Sequence, residues 1–160
     1  MPTFRLLATF GEAEKLGRPY ADPAFAMLDH VSVTVSDLSR AAPFWDAVMA
    51  ALGVACVVRR DAMIGYGARN RPGDDGHTYL SVRQSTGAVV ADNRHWCLRA
   101  PSRAAVEAFH AAGLANGGRC DGPPGLRPGY HPAYYAAFLL DPDGNRIEAV
   151  CHRVQAERRD

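Results

Sequence analysis

The stretch Asp29–Gly53, "DHVSVTVSDLSRAAPFWDAVMAALG", recurs in weakened form at Arg94–Gly118, "RHWCLRAPSRAAVEAFHAAGLANGG". At an offset of 65, His30 falls on His95, Phe44 on Phe109 and Gly53 on Gly118. Each copy runs from a short strand with an early histidine into a Ser-Arg-Ala-Ala helix start, then stops at a glycine. The two Ser-Arg-Ala-Ala pieces, at Ser39 and Ser102, are offset by 63 instead, which predicts a longer strand-to-helix turn in the first copy. Both serines read as N-caps, because a hydroxyl can accept from the free amides of a first helical turn. Pro43 is tolerable only in or near that turn.

Working outward, each copy continues into short strands. The first has "VACVVRR", "AMIGYGA", the loop "RNRPGDDG" and "HTYLSVRQ"; the second has "GRCDGPPGLRPGYHP", "AYYAAFLL", the turn "DPDG" and "NRIEAVC". Strand, helix and three strands, twice, predicts an α+β domain of two βαβββ modules, with an open, barrel-like concave sheet and the helices outside. Module 1 spans about 27–84, the linker 85–93 and module 2 about 94–152. Residues 1–26 read as an N-terminal appendage and 153–160 as a tail. One such module is small for a core of its own, so the pair should share one.

With 160 residues, 48% apolar content and a formal charge of +1, nothing points to nucleic acid or an acidic membrane surface. No run reaches the ~18 apolar residues of a membrane span, and the N-terminus lacks a secretory pattern. Cys56, Cys97, Cys120 and Cys151 are too scattered for a zinc site of four thiolates and read as free thiols of a cytoplasmic protein.

Glu148 interrupts an apolar run, "RIEAVC". Alone, it fits a strand with one face in water. Strand alternation, however, puts His30 opposite Val31 and Val33, His95 opposite Trp96 and Leu98, and Glu148 opposite Ile147 and Ala149. If the apolar faces pack on the helices, His30, His95 and Glu148 share the other face. Two imidazoles and a carboxylate suit a non-haem iron(II) facial triad or a catalytic zinc. Gly122–Phe138, rich in Pro, Gly, Tyr and His, reads as a loop rimming that face. From it Arg127 and Tyr134 could bind substrate, while Tyr135, Tyr130 or His131 could supply a proton or hydrogen bond. Tyr134 and Tyr135 cannot both face the cleft, and Tyr135 is favoured. His152, four residues after Glu148, reads as a solvated strand end.

The sequence resembles the vicinal oxygen chelate superfamily of glyoxalase I, extradiol dioxygenases and the fosfomycin and bleomycin resistance proteins. "LDHVSVTVSDLSRAAPFWDAVMAALG", "HWCLRAPSRAAVEAFHAAGLANGG" and "YYAAFLLDPDGNRIEAV" carry the resemblance, over roughly Met27 to His152. It implies paired βαβββ modules, with metal ligands at the positions of His30, His95 and Glu148. It also implies a divalent metal, Fe2+ or Zn2+ with Ni2+ or Mn2+ as alternatives, a small-molecule substrate and compatibility with a homodimer. Dioxygenase, lyase or isomerase chemistry would follow from the metal; a metal-free drug-binding protein is the rival. Glyoxalase I-like members take a fourth ligand from the last strand of module 1. In this chain that strand offers Leu80 or Arg83, depending on alignment, with His77 and Gln84 at its ends. Three ligands, as in extradiol dioxygenases, is the expectation.

Overall fold

The computed structural model describes residues 28–73, 76–87 and 94–154; the appendage expected at 1–26 lies outside them. Strand β1 (His30–Val35), helix α1 (Leu38–Ala51) and strands β2 (Cys56–Arg60), β3 (Met63–Gly67) and β4 (Tyr79–Gln84) form the first module. Strand β5 (His95–Arg99), helix α2 (Arg103–Ala115) and strands β6 (Arg119–Leu126), β7 (Tyr135–Leu140) and β8 (Arg146–Cys151) form the second. The sheets have the same order, β1-β4-β3-β2 and β5-β8-β7-β6, with the first strand of each module parallel to its last. The expected α+β architecture of two βαβββ modules is therefore present. Its two four-stranded sheets remain separate and unclosed.

The helices make one core with the sheets. Helix α1 buries Leu38, Ala41, Trp45, Val48 and Met49, a three-and-four spacing that puts them on one stripe. Helix α2 does the same with Val106, Phe109 and Gly113. The helices meet at Gly113. A Cβ added there would stand 2.4 Å from Leu139 Cδ1 and 3.0 Å from Phe44 Cε2, so bare backbone is what lets them approach.

Two local expectations are corrected. Helix α1 is capped by Asp37, not Ser39: Asp37 Oδ1 accepts from the amides of Ser39 (2.9 Å) and Arg40 (3.2 Å). Ser102 caps α2 as expected, through the Ala105 amide. The caps Asp37 and Ser102 thus keep the offset of 65 that relates His30 to His95, and the longer first turn disappears. Pro43 lies within α1 beyond its first turn. Its missing N–H frees the carbonyl of Ser39, and Ser39 is exposed to water, which can serve it instead.

The expected loop Gly122–Phe138 is mostly strand. Residues up to Leu126 belong to β6 and those from Tyr135 to β7, leaving only 127–134 as connection. Pro123 and Pro124 blurred how far β6, the expected strand after α2, extends, since proline cannot donate to a ladder. They are accommodated because β6 is an edge strand whose register breaks around Gly122.

The two modules are joined at the β7–β8 turn. Asp141 is buried and accepts from Trp45 Nε1 (3.2 Å) and from both the amide (2.8 Å) and side chain (2.9 Å) of Asn145. Asn145 Nδ2 also donates to the Thr34 carbonyl in β1 (3.0 Å). The turn that precedes Glu148 is thereby fastened to the first module.

Candidate metal and substrate site

The register of β5, β7 and β8 assigns the faces of the second sheet. Glu148 stands across from Cys97 on one side and Phe138 on the other, with His95 two residues along β5. Ile147 and Ala149 face the helices and are fully buried. The sequence-based alternation therefore holds here, and His95, Cys97, Phe138 and Glu148 share the open face.

Glu148 is itself buried, with its side chain 4% exposed, while His95 is half in water. Its Oε2 lies 3.5 Å from His95 Nε2, and its Oε1 accepts from the Tyr134 hydroxyl at 2.5 Å. Both carboxylate oxygens thus have a protein partner, which is what a buried carboxylate requires. Burial, then the Glu148 hydrogen bond, raises the Tyr134 phenol above its ordinary value. Cys97 is reached by solvent, yet the protein mass around it and then the Glu148 charge push its thiol up to about 12.

Of the two adjacent tyrosines, Tyr134 reaches Glu148 and Tyr135 does not. Tyr135 begins β7 on the helix side, donates to Glu107 of α2 (2.9 Å) and has Arg103 over its ring (5.0 Å). The preference for Tyr135 in the cleft is corrected: strand β7 starts at Tyr135, so its parity is set by register with β8, which the apolar residues that follow could not reveal.

Tyr130 and His131 pack around Tyr134, with ring centroids 4.8 Å and 5.4 Å away. His131 Nδ1 accepts from the Ala133 amide (3.1 Å), so the ring hydrogen sits on Nε2 and is donated to His152 Nδ1 (2.9 Å). His152 lies exposed just past the end of β8, as expected of a solvated strand end, and its ring also meets those of Tyr134 and His131. Arg127 is half-buried. It lies over the Phe138 ring (5.5 Å), fills the space left by Gly122 and Gly125, and donates to the Pro123 carbonyl (2.7 Å).

His30 occupies the matching place in the first sheet. Its side chain is exposed and bonded through Nδ1 to Asp29 (2.6 Å). Among the described residues no three His, Cys, Asp or Glu side chains gather as a metal site. One copy thus brings His95 and Glu148 together and leaves His30 apart. The position equivalent to Glu148 is neither Leu80 nor Arg83. Ser81 pairs with Ser32 as Glu148 pairs with Cys97, and Ser81 Oγ bonds Ser32 Oγ at 2.9 Å. The first module offers no carboxylate at this place.

Paired βαβββ modules carrying a histidine–carboxylate pair on the open face define a class, and the comparisons agree with it. The chain matches the Glyoxalase/Bleomycin resistance protein/Dioxygenase superfamily over residues 27–149 and belongs to it. A crystal structure of a glyoxalase/bleomycin resistance protein from Albidiferax ferrireducens T118 is 33% identical, with a TM-score of 0.64, covering 78% of this chain and 98% of that one. A glyoxalase-related enzyme from Fulvimarina pelagi shares the fold at 20% identity and TM-score 0.58, covering 78% and 86%. So does a glyoxalase I mutant from Zea mays, at 20% identity and TM-score 0.52, covering 77% of this chain and 46% of that one. Among curated proteins, none matches the chain.

Proposed function

We propose that this chain is a divalent-metal-dependent enzyme that binds a small molecule through two neighbouring oxygens, with dioxygenase- or lyase-type chemistry. The observation that carries the reading is Glu148: a buried carboxylate on the open face, within 3.5 Å of a half-exposed imidazole. His95 and Glu148 fit as two of three ligands, and His30 is the third by its repeat position. Because His30 stands apart in one copy, we propose a homodimer in which the first sheet of one chain faces the second sheet of the other. The open faces and the unclosed sheets support this arrangement.

Fe2+ or Zn2+ suits two imidazoles and a carboxylate, and Ni2+ or Mn2+ would be the alternatives. Such an ion supplies a Lewis acid for negative charge developing on substrate oxygens. The chain's own residues do the rest. Tyr134 holds Glu148 in place and, with His131 and His152, forms a proton-bearing group beside it. Arg127 offers the guanidinium nitrogens not spent on its own backbone to an anionic substrate group. Tyr130 closes the edge as an exposed aromatic wall. Four free thiols fit a cytoplasmic setting. Among the described residues no helix is long and apolar enough to cross a membrane.

The rival is a metal-free small-molecule binder of the drug-resistance type. What favours it is that one copy gathers no three ligands among its described residues. Metal analysis of untagged protein, purified without chelator, separates the two. The shared-site reading has a sharper test. His30→Ala and Glu148→Ala homodimers should each lose metal. Refolded together, they should regain about one site in four, because half of the dimers are mixed and each mixed dimer restores one of two sites. No recovery would refute the shared site, and no metal in the wild type would refute the enzyme reading.

A further inference from the structure

A cavity of about 470 Å3 opens at one end of the first sheet, where β3 leaves and β4 enters. Its size falls in the ~300–1,000 Å3 range of small-molecule pockets. Val57, Val58 and Ala68 give it an apolar side; Arg69, His77 and Tyr79 give it a polar one.

Arg69 is held in an unusual way. Its guanidinium carbon lies 4.0 Å from the centroid of the Tyr79 ring. Tyr79 is immobilised in turn: it is 1% exposed and lies across Gly65, where an added Cβ would come 1.9 Å from its hydroxyl. That hydroxyl has no hydrogen-bond partner, so packing alone places the ring. Stacking therefore orients Arg69, and no hydrogen bond ties its N–H groups to the described residues. Asn70 fixes the adjoining chain by donating to Asp29 (2.7 Å) and the His77 carbonyl (3.1 Å) and accepting from the His77 amide (3.0 Å).

Among the described residues lining the cavity, Arg69 and Arg71 carry the permanent charges, which favours an anion. Arg71 has an interaction of its own. The nearby Asp29 carboxylate hydrogen-bonds His30 and Asn70 and also attracts Arg69 through space, leaving the Arg69 N–H groups for a ligand. A planar fork stacked on an aromatic ring, with donors to spare, matches the two oxygens of a carboxylate.

We propose that this cavity is a binding site for a small organic acid: Arg69 takes the carboxylate, His77 flanks it, and the Val57–Val58 side receives a short apolar body. The site lies on the first sheet beside His30, apart from His95 and Glu148 of the same chain, and the proposal needs no bound metal. It is therefore tested on full-length, EDTA-treated protein, by titrating benzoate against its neutral counterpart benzamide and following amide NMR shifts. Benzoate should shift Ala68, Arg69 and His77 saturably, and benzamide should bind at least roughly tenfold more weakly, since a hydrogen bond to a charged group is lost. Arg69→Ala, an exposed substitution, should weaken benzoate as much; Arg69→Lys should recover part. Tyr79→Phe should bind like wild type because it keeps the ring, while Tyr79→Leu should lose affinity. Equal binding of benzoate and benzamide, or undiminished binding by Arg69→Ala, would overturn the proposal. So would benzoate shifts confined to the Arg127 side of the second sheet.

Discussion

Three tyrosines in this chain end in three different environments, and their hydroxyls should be worth different amounts. Tyr134 donates to the buried Glu148. Tyr134→Phe should cost about 1.5–3 kcal/mol in urea unfolding, the range for a hydrogen bond to a charged group. Tyr135 donates to Glu107 in an exposed setting, so Tyr135→Phe should cost under about 1 kcal/mol. Tyr79 has no partner to lose, and Tyr79→Phe should leave stability equal or higher. A larger cost for Tyr135→Phe than for Tyr134→Phe would contradict the assigned faces. Cys97 gives a separate check on Glu148. Its thiol is pushed up to about 12, so little thiolate exists at pH 8 and alkylation of chelator-treated protein should be slow. Glu148→Gln removes the charge but not the burial, which is the larger cause, and should speed the reaction without making it ordinary.

At the scale of elements, the helix crossing and the β7–β8 turn carry the arrangement. Gly113 breaks the propensity rule for a helix interior, where alanine would gain about 1 kcal/mol. The crossing outweighs it: Gly113→Leu should destabilise by about 1–3 kcal/mol, the usual cost of overpacking, as Leu139 and Phe44 are forced aside. Gly53, at the end of the other helix, has open space and a φ of +76°, so Gly53→Ala should lose only the smaller backbone term, visible as a lesser fall in urea midpoint. Asp141→Ala should be worse than a typical surface change. It orphans the Trp45 indole and Asn145 donors, at about 1–3 kcal/mol for each left without water. Because that turn leads into β8, metal content should fall with it. Full metal content in a destabilised Asp141→Ala protein would show that the turn holds the modules without placing Glu148.

For the whole molecule, the two sheets open separately while the helices share a core. Expressed alone, residues 94–154 should fail to fold cooperatively, because Phe109, Gly113 and Leu139 would lose Phe44 and Val48 as neighbours. A sharp thermal transition in that fragment would show that each module stands by itself. In solution the full chain should sediment as a dimer, and the dimer should be favoured by metal if the site is shared. A monomer at micromolar concentration, with metal bound, would refute the shared arrangement.

The repeat, read as a pattern of His, apolar alternation and helix start, determined the class, the element order and the face of Glu148, because strand and helix periods are local properties. The Pro-, Gly-, Tyr- and His-rich stretch Gly122–Phe138 separately singled out Arg127 and Tyr134 as candidates. What the sequence misread were matters of register and partner. Asp37 or Ser39 could each cap α1 by type, and only the backbone path selects Asp37. The tyrosine that reaches Glu148 depends on where β7 begins, and the extent of β6 was blurred because edge strands tolerate proline. The counterpart of Glu148 depended on the pairing of β1 with β4, which gives Ser81 where alignment offered Leu80 or Arg83. The cavity beside Tyr79 had no signal at all: Arg69 and Gly65 are ordinary loop and strand residues until the chain folds one ring between them. The separation of His30 from His95 and Glu148 likewise belongs to the tertiary structure alone, since repeat symmetry fixes equivalent positions in two modules but not the distance between them.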